Sequence, residues 1–189
     1  HLGMGGFGSG SRVPDTVAAH YGADDNASGV AGMIELAKYF GKKENRPSRS
    51  LVFVAFDAEE MGLIGSRYFV NNPPVDLAKV TAMINFDMIG RLKESNTISI
   101  GGTGTSSETE KILDYLAGKY PLKLSYSAEG FGPSDHAAFY GKNIPVFFIS
   151  TGAHADYHTP RDNSEGINAN GIVKVLDFSV SLVAELANR

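Results

Sequence analysis

Several short runs in this chain are apolar or nearly so from end to end, and they constrain the fold more than any other feature. Leu51 to Phe56 (LVFVAF), Ala82 to Phe86 (AMINF) and Val146 to Ile149 (VFFI) are rich in β-forming residues and too short for buried helices. A strand without a polar face must be covered on both sides, as in a parallel sheet between helical layers. Thr97 to Ile100 fits one more strand.

Between these runs lie segments of helical period. Val30, Met33, Ile34 and Ala37 recur at helical spacing, with Ser28 placed as N-cap. Met61 to Phe69 reads as a helix stopped by the Asn-Asn-Pro-Pro at 71–74, and Ser107 with Glu110 forms a capping box ahead of Ile112, Tyr115 and Leu116. Ile172, Val175, Leu176, Ser179, Leu182, Val183 and Leu186 share one face of a long closing helix. The opening HLGMGGFGSGSR is Gly/Ser-rich and reads as loop. Strands alternating with helices predict an α/β fold: a three-layer sandwich with a mostly parallel mixed β-sheet flanked by helices, one domain over 1–189.

Composition narrows the function classes. The 189 residues are 42% hydrophobic and 20% charged, as in a folded domain. The net charge of −4, with no run of Lys and Arg, argues against nucleic acid or an anionic membrane as partner. No stretch is long and apolar enough to span a bilayer. With no cysteine, neither disulfides nor thiolate metal ligands are available.

In open α/β sheets, ligands bind beyond the carboxyl ends of the strands. Acids and a histidine gather at those positions. Asp24 and Asp25 precede the first helix, Glu59 and Glu60 follow LVFVAF, Asp87 follows AMINF, and His158 lies in the loop after VFFIS. Taken singly, each has a plainer reading: a helix cap, a solvated corner, a loop histidine. Their convergence is what matters. Carboxylates crowded at one sheet edge repel each other, and a divalent cation is the usual reason to tolerate them. Oxygen and imidazole donors without thiolate suit a catalytic zinc, and manganese or cobalt as well.

Five segments, in order, resemble the co-catalytic zinc exopeptidases, a group that includes bacterial leucyl aminopeptidases and glutamate carboxypeptidase. They are GADDNASG (22–29), FDAEEMGLIGS (56–66), NFDMIGR (85–91), GPSDHAAF (132–139) and YHTPRDN (157–163). The resemblance implies that Asp24 bridges two metal ions, that Glu60 and His158 complete one of them, and that Asp87 binds the other. It makes Glu59 the general base and a peptide the substrate of an aminopeptidase. A single-zinc glutaminyl cyclase, which resembles the same fold, or a catalytically inactive fragment is the alternative. The resemblance also implies zinc, up to two ions in a full-length protein with one well held here, and a secreted or periplasmic location with a further domain upstream.

The same resemblance leads us to expect a His-x-Asp metal motif just before a Gly-rich loop like the one that opens this chain. On that reading the chain is truncated at its start, and His1 or His20 are stand-in ligands to be considered. Phe131 stands where some relatives carry an oxyanion-binding tyrosine. Ser134, Asp135 and His136 are consecutive, so they cannot meet as a triad from separate loops. Asp135 and His136 are expected to start a helix and line the site. Tyr157, Thr159, Pro160 and Asp162 are expected to hold the His158 loop, with Asp162 as a cap. Arg91 is expected to be structural, and Asp57 to point away from the metals.

Overall fold

The computed structural model describes residues 2–189. Four strands, β1 (Met83–Phe86), β2 (Thr97–Gly101), β3 (Lys123–Ser127) and β4 (Val146–Ser150), form one sheet in the order β1-β4-β2-β3. β1 runs parallel to β4 and β2 to β3, while β2 and β4 are antiparallel. The sheet is therefore mixed and mostly parallel, as expected.

Alternation along the strands sends side chains to two helical layers. Phe147 and Ile149 of β4, with Ile98 and Ile100 of β2, pack against α3 (Thr109–Ala117) and the long α5 (Ala169–Asn188). Ile84 and Phe86 of β1 share that face, where α1 (Gly29–Gly41) adds Leu36 and Phe40. Met83 and Val146 turn to the opposite face, against α2 (Ile64–Asn71) and α4 (His136–Tyr140). Phe147, Phe178, Ile98, Ile100, Ile149 and Leu182 are all but inaccessible, so the larger core lies on the α3–α5 side. No helix among the described residues is long and apolar enough to cross a membrane.

Three local expectations need correction. LVFVAF joins no strand: it is extended, but residues 51–56 exchange no backbone hydrogen bond with any described residue. Apolarity called for burial in a sheet, but a strand forms only where a neighbouring backbone supplies partners. β3 (KLSYS) was not foreseen, because it is a largely exposed edge with no apolar run. Ser28 and Ser107 do not cap. The Ser28 hydroxyl turns back to Asp24, and the start of α3 has no side-chain cap, whereas Asn168 caps α5 by accepting from the Gly171 N–H at 2.9 Å.

Candidate metal centre

Because β1 and β4 are parallel, the loops leaving their carboxyl ends emerge together. Thr151 N–H and its hydroxyl both donate to the Met88 carbonyl, each at 2.8 Å, which clamps the two loops side by side. The segment Ala23–Ser28 is latched onto this pair. Gly90 N–H donates to Asp24 Oδ1 at 2.6 Å, Ile89 N–H to Ser28 Oγ at 3.1 Å, and Asn26 Nδ2 to the Phe86 carbonyl at 2.7 Å. Position 90 admits only glycine for this approach: a Cβ there would stand 2.8 Å from Asp24 Oδ1 and 2.9 Å from Ser28 Cβ.

Successive side chains of this segment thus point in different directions, and the outcome reverses one expectation. Asp24 is directed inward, fully buried, and receives Gly90 N–H and the Ser28 hydroxyl. Its other oxygen lies 3.2 Å from His154 Nε2 without the alignment of a hydrogen bond. Burial pushes the Asp24 carboxyl upward, against the hydrogen bonds from Gly90 and Ser28. Asp25, rather than Asp24, turns its carboxylate to the other acids.

Asp25 Oδ2 stands 3.1 Å from His158 Nε2, and Glu60 Oε1 stands 2.8 Å from the same nitrogen. Three donor atoms from three loops lie within 4.8 Å of one another. His158 Nδ1 lies 3.0 Å from the Gly10 carbonyl and donates to it, so in the neutral ring the Nε2 lone pair faces the carboxylates. That is the tautomer of a metal-binding imidazole whose far nitrogen donates to a backbone carbonyl. The Tyr157 ring stacks on the imidazole, 3.7 Å between centroids. An Nε2 lone pair directed at two carboxylate oxygens is repulsive unless a cation sits among them. The oxygen and nitrogen donors fit zinc, with its preference for imidazole and carboxylate where thiolate is absent.

Glu60 and its neighbour Glu59 sit in a tight turn over 58–64, closed by Leu63 N–H donating to the Glu59 carbonyl at 2.8 Å. Glu59 is pushed up to about 8, first by burial and then by the negative field of Asp87, Glu60, Asp135 and Asp25. The Tyr157 hydroxyl is raised by burial and then by Asp25, Glu60, Asp87 and Glu59. Asp87 follows β1 directly and, with Asp25, Glu59 and Asp135, helps line a groove of about 880 Å³ between residues 51–56 and β1.

Asp162 does more than cap a turn. Its carboxylate is 2% exposed and accepts the Asp24 N–H at 3.1 Å and the Asp25 N–H at 3.0 Å. Arg91 reaches it at 3.4 Å and Asp156 at 3.1 Å, so this arginine is structural, as expected. His158 and Asp162 lie in one loop. That loop therefore both supplies the imidazole and holds the backbone of the facing aspartates.

The remaining candidates fall into place. His20 is 6% exposed, with Ser11 Oγ at 2.8 Å and the Ala18 carbonyl at 2.9 Å, and it ties down the opening loop. His1 lies outside the described residues. Asp57 accepts from Ala58 N–H at 2.8 Å in an exposed position. Ser134 Oγ accepts from Asn85 Nδ2 at 2.7 Å, and His136, buried at the start of α4, stacks on Phe148. Phe131 is exposed and packs edge-on against Tyr140. His154 was not anticipated. Its only signal was its place four residues before His158 in the same loop.

Comparison with known proteins bears on the family and the fold. The chain is 38% identical over 140 residues to leupeptin-inactivating enzyme 1 of Streptomyces exfoliatus, covering 74% of this chain and 31% of that protein. It superposes on the LapA aminopeptidase of Legionella pneumophila with a TM-score of 0.79 and 27% identity, covering 91% of this chain and 48% of that one. For a zinc aminopeptidase from Bacillus subtilis the TM-score is 0.77 at 27% identity, over 88% of this chain and 43% of that one. A glutaminyl cyclase of Porphyromonas gingivalis, 22% identical with a TM-score of 0.67, shares the fold alone. The chain thus spans between about a third and a half of the length of the first three of these relatives. The family model for peptidase family M28 matches residues 14–183, and the chain belongs to that family.

Proposed function

We propose that the chain carries the metal site of a zinc aminopeptidase, in which Asp25, Glu60 and His158 hold an ion and Glu59 is the general base. One observation carries this reading: the Nε2 of His158 faces the Glu60 and Asp25 carboxylates at 2.8 and 3.1 Å in a chain of peptidase family M28. Asp87, beside the same acids, is the ligand we assign to a second ion. When bound, zinc lowers the pKa of a coordinated water and polarises the scissile carbonyl.

The chain's own residues do the rest. Burial first, and then the field of four carboxylates, holds the Glu59 proton in place, and positive charge among those carboxylates offsets both. Freed of its proton, Glu59 takes one from the attacking water and delivers it to the leaving amine. Gly10 and Tyr157 keep the His158 ring in place while this happens. Secretion or a periplasmic location, and a further domain upstream, belong to the same proposal on the strength of the family resemblance.

The test is a panel of aminoacyl-anilides, with and without chelator, on the wild type and on Glu59→Gln. The variant keeps its shape and its zinc and loses at least about 100-fold in turnover, the usual worth of a positioned base. Near-normal rates in Glu59→Gln refute the assignment. Cyclisation of an N-terminal glutamine, without release of amino acids, moves the chain to the cyclase reading.

A further inference from the structure

The opening loop grips His158 at two points. His158 has a φ of +57°, in the left-handed region that a residue other than glycine keeps only where its surroundings hold it. Arg12 N–H donates to the His158 carbonyl at 3.0 Å, and the Gly10 carbonyl accepts from His158 Nδ1 at 3.0 Å. Backbone and ring are thus both held, by the residues on either side of Ser11.

Ser11 is in turn fastened to His20. His20 Nδ1 lies 2.9 Å from the Ala18 carbonyl. A carbonyl only accepts, so Nδ1 carries the proton and Nε2 is left as an acceptor. The Ser11 hydroxyl, 2.8 Å from that Nε2, donates to it and accepts the Val13 N–H at 3.1 Å. His20 itself has little room to drift. Its N–H donates to the Gly3 carbonyl at 2.8 Å, Ala18 N–H donates to the Met4 carbonyl at 2.9 Å, and the ring lies against Gly5, where a Cβ would collide with it. Glycines at 3, 5, 6, 8 and 10 bring backbone freedom and no side chain to fix the loop. Its shape therefore leans on the few polar side chains present, and among the described residues of the loop His20 is the one that is buried.

We infer, on the reading of His158 as a zinc ligand, that His20 is a positioning residue for the metal centre. Through Ser11 it sets the Gly10 carbonyl and the Arg12 N–H, and these aim His158 Nε2 at Asp25 and Glu60. An imidazole already held in its binding orientation gives up no rotamer freedom when the ion arrives, so loosening the Ser11 link weakens the metal without removing a ligand.

Zinc affinity, read by competition with a chromophoric chelator, tests this in four variants. Ser11→Ala and His20→Phe each weaken binding by about 10-fold, the lower end of what loss of an outer partner costs a metal site. The double variant is no weaker than either single one, since both cut the same link. His20→Gln, whose amide oxygen accepts from the Ser11 hydroxyl, stays close to wild type. A side chain that merely filled space would be replaced better by phenylalanine than by glutamine. Losses that multiply in the double variant, or a His20→Gln no better than His20→Phe, overturn the inference, and so does wild-type affinity in both single variants. Should His20→Phe fail to fold, Ser11→Ala decides alone, and unchanged affinity there overturns the inference. A wild-type chain that binds no zinc overturns the metal-site reading as well, which separates the two failures.

Discussion

Replacing Asp162 is the sharpest test of how the site is held. Asp162 touches no candidate metal ligand with its side chain except through their backbones, receiving the N–H groups of Asp24 and Asp25 and the Arg91 guanidinium at 2% exposure. Asp162→Ala strands these buried donors and leaves Arg91 with Asp156 alone. Removing one member of a buried, hydrogen-bonded charge pair costs about 3–5 kcal/mol. Arg91 keeps its second partner, so the lower half of that range, about 3–4 kcal/mol, is expected. For a chain of this length that lowers the melting temperature by roughly 6–16 °C.

Asp162→Asn keeps one acceptor oxygen and should cost about half as much, the worth of one charge-assisted bond. Both variants displace the Asp25 carboxylate, so zinc affinity falls by roughly 10–100-fold, as when the outer partner of a ligand is lost. Melting followed by circular dichroism in chelator isolates the stability arm, and competition with a chromophoric chelator reads the zinc arm. If Asp162→Ala loses under about 1 kcal/mol and binds zinc within twofold of wild type, this account of the loop is wrong.

Two further outcomes follow from the same geometry. His136 is buried, and its pKa is lowered to about 4 by desolvation, against 6.5 in the unfolded chain. As pH falls below 6.5 the unfolded state takes a proton that the folded state refuses. Stability that is complete above that pH is therefore lost down to about 4, by up to roughly 3 kcal/mol. Urea unfolding at pH 7.5 and 4.5 should show a steeper loss in wild type than in His136→Phe, and equal slopes would contradict the assignment. Gly90→Ala puts a methyl 2.8 Å from Asp24 Oδ1 and 2.9 Å from Ser28 Cβ, which is fixed to the main chain, so the latched segment must shift. An overpacking cost of about 1–3 kcal/mol with weaker zinc binding is expected, and wild-type stability in thermal melts would show that the loops have slack.

Much of this molecule is local, and local structure is legible in a sequence. The apolar runs at 83–86 and 146–150 are strands because β-branched and aromatic residues bury well between helices, and the long face from Ile172 to Leu186 is a helix because its period is that of one. Glu60 and His158 stood out through the gathering of acids and imidazole at one edge and through the resemblance to the zinc exopeptidases, and the structure does bring those two side chains together.

Direction and partnership were not legible. Asp24 and Asp25 are chemically identical neighbours, and only the latching of 24–28 onto Phe86–Gly90 and Asp162 turns one inward and the other to His158. LVFVAF has the composition of a core strand, but pairing depends on which backbone lies alongside it, and none among the described residues does. Asp162 was legible only as a cap and His154 only by its nearness to His158, because the aspartates they face are more than 100 residues away in the chain. The sequence by itself determined the helices, the buried strands at 83–86, 97–101 and 146–150, and which side chains can ligate. The tertiary structure alone decided which of those side chains meet, because convergence depends on how distant loops are anchored and not on period or composition.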